Sequence, residues 1–201
     1  MGASLCHAQT FLFILLLFSN YWCSCLATNP IATSANNKDY IKISCDTTLY
    51  PQLCFQYLSP YADKIQTSPK LLANTSLSIA LSATRSTSSM IENLSNTSGL
   101  NPTEKAALLD CVEELSDSVY ELQGSMKEMA KADSGGSNFK LLMSDIETWT
   151  SAALTDDDTC TDGFEGNAMN GQVKTIVLSH VGEIEQLTSI ALAFINNYAA
   201  T

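Results

Sequence analysis

The chain of 201 residues contains few basic side chains, and this scarcity excludes several classes of protein. Ten Lys and Arg residues stand against 21 Asp and Glu residues, which gives a formal net charge of −11 at pH 7. Nucleic-acid-binding proteins neutralise phosphates with clustered cations, so we expect no nucleic-acid partner. Arg85 is the only arginine, which also excludes a clamp of several guanidinium groups around a phosphate or carboxylate.

The motifs of common catalytic and metal sites are missing as well. The sequence contains no GxSxG, no phosphate-binding P-loop, no HExxH and no paired CxxC. The run from Asp156 to Asp158 lacks the glycine and the distant glutamate of an EF-hand, so a solvated acidic turn is the preferred interpretation. We therefore expect no metal and no cofactor. We favour a binding protein, and the alternative is an enzyme that uses acidic residues as an acid/base pair.

The N-terminal segment has the features of a secretory signal peptide. Residues 11–18 (FLFILLLF) form an apolar run of eight, whereas a membrane-spanning helix needs about 20 such residues. Cys25 and Ala27 place small residues at the positions that precede a cleavage site. We predict a signal peptide over residues 1–27 and a secreted chain that has no membrane contact after cleavage.

Cysteines and sequons agree with export. An even number of cysteines remains after the leader, which predicts two disulfides in a secreted protein: Cys45, Cys54, Cys111 and Cys160. Four cysteines allow three pairings, and the most local of them joins Cys45 to Cys54 and Cys111 to Cys160. Three sequons predict glycosylation at Asn74, Asn93 and Asn96.

Helical periodicity dominates the chain, and no alternating strand pattern competes with it. Residues 28–38 are polar and aperiodic and are predicted to form a flexible arm. In residues 39–68, prolines separate short segments, and two short helices folded back on each other would bring Cys45 and Cys54 together in a disulfide-closed hairpin. Four long helical stretches follow, at residues 69–96, 101–129, 138–164 and 173–198.

The first two long stretches begin at recognisable caps. Ser68 precedes Pro69, and Asn101 precedes a proline and Glu104 in the pattern of a capping box. The apolar side chains of three stretches recur at helical spacing and are expected to face a core: Leu72, Ile79, Ala83, Met90, Leu94; Leu109, Val112, Leu115, Val119, Leu122, Met126, Met129; Leu141, Leu142, Ile146, Trp149, Ala153 and Leu154.

The fourth stretch has the strongest periodicity, and His180 falls on its apolar side. We therefore expect a buried, hydrogen-bonded imidazole at this position. Four amphipathic helices with short loops predict an all-α fold, an antiparallel up-down-up-down four-helix bundle over residues 69–198. With the preceding hairpin, the bundle forms one domain over residues 39–201.

Six short blocks of the sequence are distinctive: residues 45–54 (CDTTLYPQLC), 107–113 (ALLDCVE), 149–155 (WTSAALT), 159–164 (TCTDGF), 187–189 (LTS) and 191–193 (ALA). Together they resemble the plant invertase/pectin methylesterase inhibitor family. The resemblance implies the bundle with its N-terminal hairpin. It also implies the disulfides Cys45–Cys54 and Cys111–Cys160. The implied activity is stoichiometric inhibition of a cell-wall carbohydrate enzyme, which would locate the protein in the apoplast.

The resemblance also implies where a partner would bind. Contact positions of pectin methylesterase inhibitors fall on Glu113 and Asp117 of the second bundle helix and on Thr159 and Asp162 beside the last cysteine. Tyr120 occupies a position that is acidic in the family. From spacing alone, Glu113, Asp117 and Glu121 lie four residues apart and are expected to line one exposed helix edge.

Pectin methylesterase is the expected target, bound in a one-to-one complex across its pectin-binding cleft. Inhibition of acid invertase is the alternative on the same fold, but the Pro-Lys-Phe tripeptide of invertase inhibitors is absent before the last cysteine. A second alternative is the pro-region of a pectin methylesterase, which would require a catalytic domain after the bundle. Because pectin is itself a polyanion, no direct pectin binding is expected of this acidic chain.

Overall fold

The computed structural model describes residues 30–165 and 171–201, and within them the chain is helical without strands. The chain divides into two units, Met1–Thr33 and Ser34–Thr201, and the helices below belong to the second, except that α1 begins four residues before it. The helices are α1 (Pro30–Cys45), α2 (Pro51–Leu58), α3 (Ala62–Ile65), α4 (Pro69–Ser95), α5 (Pro102–Met129), α6 (Phe139–Asp162) and α7 (Gln172–Ala199). A 3₁₀ turn, Ser59–Tyr61, joins α2 to α3. The predicted signal peptide and most of the break before α7 lie outside the described residues.

The four long helices begin and end close to the predicted positions. The Ser68 hydroxyl accepts a hydrogen bond from the Leu71 backbone N–H, and Pro69 follows as the first helical residue of α4. At α5, the Asn101 side chain accepts a hydrogen bond from the Glu104 N–H at 2.8 Å. The Glu104 carboxylate accepts one from the Asn101 N–H at 3.0 Å. These reciprocal bonds confirm the predicted capping box.

The long helices form a closed antiparallel ring. Each packs against the next one in sequence, and α7 packs back against α4. The connections are short enough to require antiparallel neighbours, which confirms the predicted four-helix bundle. Buried side chains form two clusters, a larger one that includes the hairpin and a smaller one around the disulfide Cys111–Cys160, which joins α5 to α6.

The N-terminal hairpin is held by the second disulfide, Cys45–Cys54, between the end of α1 and the middle of α2. Both predicted cysteine pairs are therefore present. The expectation of a flexible arm is corrected for residues 30–38, which are helical as part of α1. Pro30 is compatible with the first helical turn, and no glycine or proline follows until the helix has ended. Asn37 and Ile41 anchor this helix, with exposed fractions of 6% and 0%.

Several residues predicted to face the core are found elsewhere. Leu109 and Leu141 are 51% and 64% exposed, and Leu108 is buried in place of Leu109. His180 is exposed, which corrects the expectation of a buried imidazole. Within a short run of apolar residues on a helix, the sequence does not show which residue faces the core. Neighbouring residues lie only 100° apart around the helix axis, so the prediction can miss the core-facing residue by one position.

Helix α4 buries hydroxyl groups that the apolar pattern does not reveal. Thr75, Ser76, Thr84, Thr87 and Ser95 are all buried, whereas the predicted Ile79, Ala83, Met90 and Leu94 are only partly buried. Three of the hydroxyls donate to carbonyl groups of their own helix, at 2.8 to 2.9 Å. A hydroxyl satisfied in this way is tolerated in a helix–helix contact, so small polar residues serve as core residues here.

Candidate functional site

The exposed side of α5 presents most of the predicted partner-binding residues. Glu113 and Asp117 are exposed, and the Tyr120 side chain is 70% exposed between acidic neighbours. Glu121 is only half-buried, so it departs from the prediction of a fully exposed edge. An exposed aromatic ring among charged groups is a common anchor of protein interfaces, because it offers a large apolar area with a polar tip.

The C-terminal end of α6 supplies the remaining predicted residues. Thr159 and Asp162 are exposed on either side of Cys160, whose disulfide with Cys111 holds α6 against α5. The Thr159 hydroxyl donates to the Thr155 carbonyl at 2.8 Å. A groove of about 650 Å³ runs between the two helices here, and Thr159 and Asp162 share it with Asp110 and Glu114 of α5.

Asp110, Glu114 and Asp156 are carboxylates that the sequence prediction did not include in the site. Burial raises the pKa of Glu114, and repulsion from Asp156 adds to the effect, so Glu114 faces α6. The prediction followed a constant spacing of four from Glu113. Residues on the side that faces a neighbouring helix instead recur with the 3.6-residue period of the helix. This period is visible in the intervals of four, three and four residues that separate Asp110, Glu114, Asp117 and Glu121. We call Asp110, Glu113, Glu114, Asp117, Tyr120, Glu121, Asp156, Thr159 and Asp162 the acidic face.

Glu121 and Asp156 form a carboxyl pair across α5 and α6. Glu121 Oε2 and Asp156 Oδ2 are buried, and neither atom accepts from an N–H or a hydroxyl group among the described residues. Burial is the largest cause that raises the pKa of Glu121 to about 7, followed by repulsion from Asp156 and a hydrogen bond between the two groups. The pKa of Asp156 is raised by burial too, although the hydrogen bond from Glu121 lowers it. The pair therefore binds one proton at mildly acidic pH.

The run from Asp156 to Asp158 is helical, which corrects the expectation of a solvated acidic turn. Asp157 is fully buried inside the bundle, at 0% exposure. Ser118 Oγ of α5 donates to its Oδ1 at 2.8 Å, and Thr188 Oγ1 of α7 donates to its Oδ2 at 3.1 Å. Burial raises the pKa of Asp157 to about 7, although the two hydrogen bonds oppose this rise. Burial between helices thus raises the pKa of several carboxyl groups in this bundle.

Within residues 30–165 and 171–201, no group of three or more potential ligands has the arrangement of a metal site. None of the helices searched in this part of the chain is long and apolar enough to cross a membrane. The acidic face is defined by its carboxylates and its exposed tyrosine. It suits the binding of a basic protein surface better than the positioning of a reacting molecule.

These features define a class of protein: a disulfide-linked four-helix bundle with an exposed acidic face. The profile of the family described as plant invertase/pectin methylesterase inhibitor matches residues 39–194. The chain belongs to this family, and the resemblance seen in the sequence is confirmed. The family is one of enzyme inhibitors.

Named relatives and a solved structure agree with this assignment. "Pectinesterase inhibitor 10" of Arabidopsis thaliana is 46% identical over 170 residues, which cover 84% of this chain and 54% of that protein. The chain thus spans about half the length of that relative. The "21 kDa protein" of Daucus carota is 42% identical over 170 residues, or 84% of this chain and 88% of that protein. A crystal structure of a mutant pectin methylesterase inhibitor from Arabidopsis has the same fold, with a TM-score of 0.61 and 24% identity over 76% of this chain and 92% of that chain.

Proposed function

We propose that the chain is a secreted inhibitor of pectin methylesterase that binds the enzyme one-to-one and covers its pectin-binding cleft. Such binding would regulate the de-esterification of pectin in the cell wall. The observation that carries the proposal is the acidic face, in a chain similar to proteins named pectinesterase inhibitor. Its carboxylates would pair with cations of the enzyme, and Tyr120 would fill the centre of the contact.

The charge of the whole chain supports a protein partner over a polysaccharide partner. A net charge of −11 attracts a basic enzyme and repels the polyanion pectin. The inhibitor would therefore act by covering the enzyme, without coating its substrate. Acid invertase remains the second candidate target, because the description of the family includes invertase.

Export and glycosylation belong to the same proposal. A signal peptide over residues 1–27 would direct the chain to the apoplast, where both disulfides are stable. Asn93 and Asn96 are exposed at the end of α4 and are accessible glycan acceptors, whereas Asn74 is half-buried within the same helix. The three sequons remain predicted glycosylation sites.

The direct test is a titration of the oxidised, secreted protein into a plant pectin methylesterase and, in parallel, into a plant acid invertase at about pH 6. We expect methylesterase activity to fall to a plateau near one equivalent while invertase activity is unchanged. If only invertase activity is lost, the target is acid invertase in place of pectin methylesterase, and the chain is still an enzyme inhibitor. If neither enzyme responds, the proposed function is wrong.

Charge reversal on the acidic face should weaken inhibition. We expect the double variant Glu113→Lys/Asp117→Lys to lose about tenfold to a hundredfold in affinity, because two attractive contacts with a basic partner become repulsive. Asp39→Lys/Asp63→Lys is the matched control, since it changes the net charge equally at exposed residues of the hairpin. If both double variants weaken inhibition alike, net charge governs binding and the acidic face is not the contact surface.

Inhibition should be stronger at pH 5 than at pH 8. A docked enzyme would cover Glu121 and Asp156 further, and because Glu121 Oε2 and Asp156 Oδ2 are already buried, the added desolvation would disfavour the ionised pair. Binding would then favour the protonated form, which predominates below the Glu121 pKa of about 7. We expect Glu121→Gln to flatten the pH dependence of the dissociation constant. An equally steep dependence in this variant would exclude the pair as its source.

A further inference from the structure

A second concave site lies on the side of the bundle opposite the acidic face, between α4 and α7. It encloses about 500 Å³, and residues of the hairpin close one end of it. This volume is within the range of sites that bind small molecules. The site shares no residue with the acidic face.

The α4 wall of this groove is rich in hydroxyl groups. Ser78, Ser82 and Ser86 follow one another at intervals of four residues, so their side chains form a column along the groove. Thr75 also lines the groove and is 1% exposed, and its Oγ1 is a buried atom without a hydrogen-bond partner among the described residues. Burial of an unpaired hydroxyl is costly, and most buried hydroxyls of α4 avoid it by donating to the helix.

The facing wall supplies aromatic rings, a carboxylate, a lysine and a histidine. The Tyr57 hydroxyl donates to the Glu183 carboxylate and so joins the hairpin to α7. Tyr61 is 42% exposed and leaves a ring surface available in the groove. Lys64 and His180 are exposed groove residues, at the hairpin and on α7.

We propose that this groove binds a short saccharide of one or two hexose units. The ring hydroxyls would pair with the serine column and the Glu183 carboxylate, and with the buried Thr75 hydroxyl once its side chain turns toward the groove. The apolar face of a sugar ring would pack on Tyr61. A sugar presents alternating donors and acceptors around an apolar ring, which matches hydroxyls and a carboxylate beside an aromatic surface. A merely solvated polar face accounts for the serines but leaves the buried Thr75 hydroxyl unexplained.

The sugar units of the bound saccharide are either neutral hexoses or uronic acids. Both present the same ring hydroxyls, and the Lys64 ammonium beside the groove would add affinity for a uronate carboxylate. A disaccharide carries at most two charges, so the net charge that disfavours polymeric pectin does not prevent its binding. A neutral dihexose and the matching diuronate therefore distinguish the two sources.

The test is an NMR titration of the oxidised, secreted protein with galactobiose and, separately, digalacturonate, each to about 20 mM. We expect saturable shifts of backbone amides in Thr75, Ser82 and Glu183 with at least one of the two sugars. Ser82→Leu should weaken binding at least tenfold, because it fills the groove at an exposed residue that does not support the fold. Ser89→Leu is the control, an exposed serine of the same helix outside the groove, and should bind like the unmodified protein.

The variant Lys64→Gln separates the sources. Loss of digalacturonate binding with galactobiose binding unchanged would assign the site to uronic acids. If the unmodified protein and Lys64→Gln both bind the two sugars equally well, the groove recognises the ring hydroxyls alone and not a uronate carboxylate. The proposal is overturned if neither sugar binds, or if Ser82→Leu and Ser89→Leu bind equally well. Neither result depends on a methylesterase, so it leaves the proposed function unaffected.

Discussion

Gly124→Ala is expected to destabilise the bundle by about 2 kcal/mol, although alanine is the better helix former. Gly124 is a buried residue of α5, and the ring of Trp149 from α6 lies directly over it. A Cβ atom at Gly124 would lie 1.6 Å from Trp149 Cζ3 and 1.7 Å from Cε3. The indole must leave this position, and the packing that it loses outweighs the gain of about 1 kcal/mol in helix propensity. Thermal unfolding should show a melting temperature lowered by roughly 4–8 °C.

Gly182→Ala is the matched control for this effect. Gly182 also lies inside a long helix, α7, but a Cβ atom there would have no neighbour within 4 Å. The same substitution should therefore stabilise the protein by up to about 1 kcal/mol. A double-mutant cycle supplies a second control, since Gly124→Ala should become stabilising in a Trp149→Ala background. If Gly124→Ala is stabilising in the unmodified protein, the indole does not require glycine beneath it.

The close contact of Gly124 with Trp149 illustrates what the sequence leaves open. The sequence shows Gly124 as a glycine within one predicted helix and Trp149 as an aromatic residue on the next, but it does not show that they are in contact. Their pairing depends on how far each helix is rotated and shifted against its neighbour, and a single sequence contains no direct measure of either quantity. Trp149 was predicted to face the core, and it is instead 36% exposed with its ring over Gly124.

The architecture itself was predictable, because it depends on local signals. Ser68 with Pro69 and the capping box at Asn101 determine where α4 and α5 begin, and long periodic stretches determine the number of helices. The pairing of the cysteines was implied by the family resemblance, and spacing alone favoured only the local pair Cys45–Cys54. Each of these signals acts within about ten residues, or repeats so often that one mistaken position does not change the result.

The composition of the acidic face was predictable only in part. Glu113, Asp117, Tyr120, Thr159 and Asp162 are exposed as the sequence indicated. The carboxyl groups with perturbed pKa values were missed or misplaced, because their perturbation arises between helices. A carboxylate on α5 acquires a raised pKa only where α6 covers it, and no spacing within one helix reports that cover.

Asp157 should make the protein more stable at pH 5 than at pH 8. Its pKa is raised from 3.8 to about 7, mainly by burial, so the folded chain binds a proton that the unfolded chain releases between these values. Stability contributed by this proton is complete below about pH 4, decreases as the pH rises, and is lost above about pH 7. A shift of this size corresponds to at most about 4 kcal/mol. Chemical unfolding of the disulfide-intact protein at several pH values would measure the slope.

Asp157→Asn should remove most of this slope and raise the stability at pH 8. The amide has the shape of the carboxyl group, so its oxygen can still accept from the Ser118 hydroxyl, and its NH₂ group can donate to Thr188. Asp158→Asn is the control, because this neighbour is exposed and its replacement should leave the slope unchanged. An undiminished slope in Asp157→Asn would mean that other carboxyl groups carry the pH dependence, and Glu121→Gln would then be the next variant. A bundle with a buried, protonated carboxyl group is most stable at mildly acidic pH, the condition of the cell wall in which we propose that it acts.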